Sequence, residues 1–243
     1  MLASLSPVVQ PLLRISTVLG PVLPAISITS AHVAGLVIHV DRYVEAPPTI
    51  SRLLADPTFA APFSWAMIVS AFFLSLAIYQ VIVFLLTRMK VFGQENLRNR
   101  ILLLIISACE TVAVAGMIVL SQFTGSQHSQ LHDVGSYMLF FGHAVGIVCV
   151  GLLIRNLRSG KALAAKSSAT NSARDAAFSI LPRRAAQVAM LSVLYGVVYF
   201  GGKALPDEYF FWQRLVMSIL EMVVILSFLG FLYAFRRQVQ NIA

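Results

Sequence analysis

The chain has 243 residues, of which 58% are apolar and only 12% charged, with a formal net charge of +8. A mean hydropathy of +0.81 excludes an ordinary soluble globular domain and points to a polytopic membrane protein. Spans of about 20 residues each consume most of the length, so function has to reside in the bundle or its short connections.

Six helical spans are expected, over residues 15–40, 63–87, 101–123, 131–154, 183–203 and 211–235, together forming a single membrane domain over residues 1–243. Periodicity is uninformative where a segment is apolar all round, so length decides. Lipid admits only helices and closed barrels, and these segments are too long for barrel strands, which makes the expected fold class all-α.

The first span follows MLASLSPVVQPLLR, which lacks a charged leader and a small-residue cleavage site, so it is expected to be retained. Pro21 and Pro24 are expected to kink the first helix or delay its start, since each removes a backbone donor. The connection DRYVEAPPTISRLLADPTFAAPF carries Pro47, Pro48, Pro57 and Pro62, which break helices. It also carries Ile50, Leu53, Leu54 and Phe59, which give it apolar side chains to press onto the bundle. Two readings stand side by side, an ordered cap and a plain connector. The short RMKVFGQENLRNR predicts antiparallel second and third spans. The serine- and alanine-rich stretch at about residues 158–182 is expected to be a flexible cytoplasmic linker, and the place for any protein partner.

Fourteen of the 18 basic residues fall on one side of this topology: Arg14, the loops around Arg88 to Arg100 and Arg155 to Arg184, and Arg236 with Arg237. The bias places both termini in the cytoplasm, where the positive charge also attracts anionic lipid headgroups. No basic stripe with interleaved aromatics supports a nucleic-acid partner.

Ionisable groups inside apolar spans are costly and point to function. Glu110, His143 and Glu221 each fall near the middle of a span, and burial favours their uncharged forms unless a partner compensates. They form a buried polar cluster if spans three, four and six are neighbours. Such groups hydrogen-bond between helices, relay protons or ligate a metal. His132 and His143 are about 16 Å apart along one helix and cannot share an ion. No H-x-x-x-H, HExxH or cysteine cluster is present, so no metal and no cofactor are expected. His132 with Asp133 is a candidate base and orienting carboxylate, although no motif places a Ser or Cys nucleophile. Gly142 and Gly146 form a G-x-x-x-G close-packing face. Cys109 and Cys149 lie within spans and read as small packing residues, while Trp65, Tyr209 and Trp212 read as interfacial anchors.

Taken together, these residues resemble a known family. The six spans, Ile50, Ser51 and Pro57 in the first external loop, Glu110 followed by LHDVGSYMLFFGHAVG, and SILEMVVILSFLGFLY from Ser218 to Tyr233 are similar to the FRAG/DRAM/SFK family over about residues 15–240. The closest likeness is to the branch that remodels the lipid of GPI anchors. In that branch a Glu stands where Glu110 is, a His opens the fourth span as His132 does, a later His matches His143, and a Leu-Glu pair matches Leu220 and Glu221. His132 to Gly135, as His-Asp-x-Gly, looks more like the DRAM branch, and the linker departs from both.

The resemblance implies an integral membrane protein that handles or regulates membrane lipids, or acts in autophagy at lysosomes, and a non-catalytic role is the preferred expectation. The roles implied are GPI-anchor lipid remodelling, or regulation of lipid asymmetry or phosphoinositides, in the Golgi, lysosome or plasma membrane of a eukaryote. An intramembrane acyltransferase or hydrolase using His132 and Asp133 is the alternative, and a proton-coupled transporter the third option.

Overall fold

The computed structural model describes residues 9–44, 47–124, 128–164, 172–202 and 209–239. Most of these are helical, and no strand occurs among the described residues. The elements are α1 (Val9–Ile38), α2 (Val40–Val44), α3 (Ile50–Ala55), α4 (Ala60–Val91), α5 (Leu97–Gln122), α6 (Ser129–Ala164), α7 (Ser172–Gly202) and α8 (Phe210–Val239). Six of them are long and apolar enough to cross a membrane: α1, α4, α5, α6, α7 and α8.

The six long helices form a closed ring in chain order, α8 returning to α1, with α4 also touching α8. This antiparallel arrangement follows from the short connections. Between α4 and α5 the Phe92 amide donates to Arg88 O, the Gly93 amide to Lys90 O and the Gln94 amide to Met89 O. Gly93 takes φ +61°, a left-handed conformation that glycine adopts without steric cost. Asn96 then caps α5 by accepting from the Asn99 amide. The Asn99 side chain donates to Gln94 O and accepts from Asn156, which ties α6 to this turn.

α5 and α6 make the most extensive contact of the ring because small residues let their backbones meet. A methyl group on Gly142 would sit 2.7 Å from Cys109 O, and one on Gly146 would overlap the Glu110 carboxyl. α1 and α4 are joined by Gln80, whose side-chain amide donates to Leu13 O and Ser16 Oγ at 2.7 Å each.

Three expectations meet different outcomes. α1 runs unbroken from Val9 through Pro21 and Pro24, so neither proline delays the helix. Proline is tolerated in a membrane helix where neighbouring groups satisfy the carbonyls it leaves free. Helix continues to Ala164 and resumes at Ser172, so most of the stretch expected to be a flexible linker has helical backbone. Its Ala, Leu, Lys and Arg residues are strong helix formers even without an apolar face to bury. Residues 165–171, the first eight residues and Lys203 lie outside the described residues. Lastly, the loop after α1 is an ordered cap. Ile50, Leu53, Leu54 and Phe59 are buried and belong to the same apolar core as α4 and α8.

Candidate functional site

The cap is built from Thr49 upward. Thr49 has extended backbone and its side chain accepts from the Arg52 amide, so α3 starts at Ile50 with its first turn satisfied locally. Ile50, Leu53 and Leu54, at i, i+3 and i+4, then turn one apolar face inward. At the end of α3 Asp56, 1% exposed, collects the Thr58 amide at 3.0 Å, the Tyr43 hydroxyl at 3.1 Å and the Arg42 guanidinium at 3.0 Å. Burial pushes the Asp56 pKa up. The Thr58 and Tyr43 hydrogen bonds and the Arg42 charge outweigh it and hold Asp56 below the usual 3.8.

Three polar anchors join this cap to two helices, α8 and α6. Glu221 on α8, 6% exposed, accepts at Oε2 from the Ile50 amide at 3.0 Å. One turn earlier Ser218 donates to Pro48 O. On α6, His132 Nε2 is 2.6 Å from Ser51 Oγ, and its Nδ1 is 2.9 Å from Phe123 O. His32 on α1, whose Nδ1 donates to Ile28 O, also faces Pro48. Glu221 is eleven residues from the start of α8, so the cap segment packs against the body of that helix rather than resting on its end.

Deeper still lies a second pair. Glu110, midway along α5, and His143 on α6 meet at 2.7 Å between Oε2 and Nδ1, and both are buried. The His143 ring packs on Phe228 at 5.5 Å. The room for the Glu110 carboxyl is the missing side chain of Gly146. The Ile50 side chain lines the same small void as His143 and Phe228, so one residue of the cap links both sites.

The structure therefore brings Glu110 and His143 together and sends Glu221 to the cap backbone. Asp133 is exposed, and the position expected for it behind His132 is taken by the Phe123 carbonyl. Gly142 and Gly146 line the α5 contact. Cys109 and Cys149 are free thiols. Among the described residues no three His, Cys, Asp or Glu side chains gather in a way that could hold a metal. Ser51, Ser218 and the Ile50 amide are partners that residue-type reasoning did not find. The signal was the PPTIS stretch itself, where a capping threonine precedes an apolar i, i+3, i+4 pattern.

One further feature lies on the outer surface between α6 and α7. It is a cleft of about 370 Å³, walled by Tyr137, Phe140, Phe141, Tyr195, Tyr199 and Phe200. Phe140 stacks on Tyr195 at 4.8 Å and Tyr137 on Phe200 at 6.3 Å.

Two outcomes follow from these pairs. His143→Leu leaves the Glu110 carboxyl in the bundle without its ring partner, and is expected to lower stability by about 3–5 kcal/mol. Adding Glu110→Met should recover most of that loss, as thermal unfolding in one detergent would show. A double variant no more stable than the worse single one contradicts the pairing. For Asp56, a depressed pKa means its contribution is complete above about pH 4 and is lost as pH falls through the folded-state value. The unfolding midpoint of the parent should therefore exceed that of Asp56→Asn by a constant margin above about pH 4, and the margin should shrink below it.

The comparisons bear on this architecture as a whole. Neither a curated protein nor a solved structure matches the chain. A family model, that of the Frag1/DRAM/Sfk1/Cwh43P N-terminal domain, matches residues 15–240, which takes in all six long helices, the α3 cap and both buried pairs. The chain belongs to the Frag1/DRAM/Sfk1/Cwh43P family of membrane proteins.

Proposed function

We propose that this membrane protein handles or regulates membrane lipids by taking an acyl chain into the cleft between α6 and α7. The observation that carries the reading is the cleft itself. Its walls are aromatic and aliphatic, and its rim residues Val193 and Val197 are 67% and 64% exposed on the flank of a helix that faces lipid. A chain of methylene groups is the ligand that such a surface meets in a bilayer. Burying each CH₂ more tightly against aromatic rings than against other chains gives the selectivity. At one end of the cleft Ser136 and the Tyr137 and Tyr199 side chains supply polar atoms for the head of the lipid.

A second, shallower cleft at the opposite end of the bundle sets Arg98 over Leu97, Ile101, Leu102 and Leu152. That combination suits an anionic headgroup with its chains, in keeping with the cytoplasmic orientation expected for the basic end. GPI-anchor lipid remodelling and regulation of lipid asymmetry or phosphoinositides, in an endomembrane or the plasma membrane, are the roles the family resemblance implies. The binding reading needs no bond to be made or broken.

Gly196 lines the α6–α7 cleft, and a Cβ built there meets nothing within 4 Å. Gly196→Trp is therefore expected to fill the cleft without disturbing the fold. In nanodiscs containing a phosphatidylcholine with a diazirine in its acyl chain, photolysis should place adducts on the stretch from Ser136 to Val148 and on Ala189 to Phe200. The variant should lose roughly tenfold of that labelling, about 1.4 kcal/mol of binding. Labelling spread evenly over all helices, or unchanged in the variant, would sink the proposal.

A further inference from the structure

Serine hydroxyls in membrane helices usually return to a carbonyl of their own helix. Ser16, Ser75, Ser107, Ser121, Ser159, Ser192 and Ser227 do so here, each to the residue three or four before it. Ser51 instead meets the ring nitrogen of His132 at 2.6 Å, across 81 residues of chain.

Elementary chemistry fixes the direction of that bond. A carbonyl oxygen only accepts, so the 2.9 Å contact to Phe123 O places the hydrogen of a neutral His132 on Nδ1. Nε2 then carries the lone pair, and the Ser51 hydroxyl donates to it. A hydroxyl donating to a histidine whose other nitrogen is held by a third group is the arrangement that activates a serine nucleophile. His132 is buried while Ser51 is half-buried, so the base is shielded and the hydroxyl stays within reach.

We propose that Ser51 and His132 form a nucleophile–base pair that accepts an acyl group from a phospholipid ester. The position favours that substrate class. The apolar part of α6 runs over Ser129–Ser159, about 46 Å and longer than a hydrocarbon core, so its ends lie among headgroups. His132 is three residues, about 5 Å, inside one end. The pair therefore belongs to the end of α6 nearest the headgroups, the side from which an ester carbonyl, which joins headgroup to chain, would approach. Arg52 follows Ser51 directly, and Arg214 lies close enough for its charge to act on Arg52, which makes the surroundings favourable to a phosphate.

The step balances without any oxidant or reductant. Ser51 Oγ bonds to the acyl carbon and passes its proton to His132 Nε2. The bond from the acyl carbon to the glycerol oxygen breaks, and that oxygen leaves as a hydroxyl with the proton from His132. Water or a lipid hydroxyl then attacks the acyl-serine, its proton goes to His132, and Ser51 Oγ takes it back. Acyl transfer goes beyond the acyl-chain binding proposed for the α6–α7 cleft and does not depend on it.

The test treats the full chain, in phosphatidylcholine nanodiscs, with a fluorescent fluorophosphonate, which an activated serine attacks with loss of fluoride. Peptide mass mapping of the parent protein is expected to find the adduct on Ser51, and heat-denatured protein should show none. His132→Gln should slow labelling by about 100-fold, the scale of general-base assistance, and Ser51→Ala should abolish it. No adduct on Ser51 in the folded parent protein overturns the proposal, as does labelling of His132→Gln at the parent rate. A lowered unfolding midpoint in Ser51→Ala without any adduct in the parent leaves Ser51 as an anchor of the cap only, and also overturns it. Because the probe reads Ser51 and the photolipid reads the cleft, either proposal can fail while the other stands.

Discussion

The hydrogen bond from the Ile50 amide to the Glu221 carboxyl is the contact on which the α3 end of the bundle depends. Each partner is a liability alone. An amide at the start of a helix has no intrahelical acceptor, and a carboxyl group far inside a membrane helix has no water. Each removes the other's cost, and a hydrogen bond of this kind contributes about 0.5–1.5 kcal/mol, with a further penalty of about 1–3 kcal/mol for whichever group is left unpaired. The chain distance between the two is 171 residues, so the bond also closes the ring by holding the loop after the first long helix against the last.

From that contact the rest of the cap follows. Fixing Ile50 drops its side chain into the void beside His143 and Phe228 and sets Ser51 against His132 on α6. Leu53, Leu54 and Phe59 then extend the apolar core outward, and Asp56 with Arg42 and Tyr43 closes the layer above it. At the centre the Glu110–His143 pair fixes α5 on α6, in a seam where Gly142 and Gly146 leave no room for side chains. Helices in lipid gain little from burying apolar surface against one another, so close backbone contact and paired polar groups carry the specificity. Both devices are concentrated in this seam, while the aromatic-walled side of α6 faces α7 and stays open as a cleft.

Much of this was legible in the residues. Six helices follow from apolar runs that have to span about 30 Å of hydrocarbon, and the cost of intramembrane charge singled out Glu110, His143 and Glu221. What the sequence hides is which polar side chain meets which. Apolar helices present no stripe, so neighbours cannot be assigned from one chain. Glu221 also pairs with a backbone amide, a partner that carries no residue type. The same blindness hid the Phe123 carbonyl behind His132 and suggested Asp133 for the role, since only side chains appear as candidates in a string of letters. Ser51 escaped because a serine in a proline-rich connection reads as turn chemistry. Its meaning depends on the cap packing against the helices.

The acyl-transfer inference and the account of this end of the bundle rest on a cap that is seated against the helices and pinned there by α8. Amide hydrogen exchange of the segment from Pro47 to Ala55, in parent protein and in Glu221→Ala, tests that seating most directly. Slow exchange in the parent is predicted, accelerated by about 100-fold or more in the variant as the cap loses its anchor, a change of about 2.7 kcal/mol in opening free energy. Protection across α5 and α6 should stay unchanged. Exchange at unprotected loop rates in the parent protein, or equal protection in the two proteins, would contradict the account.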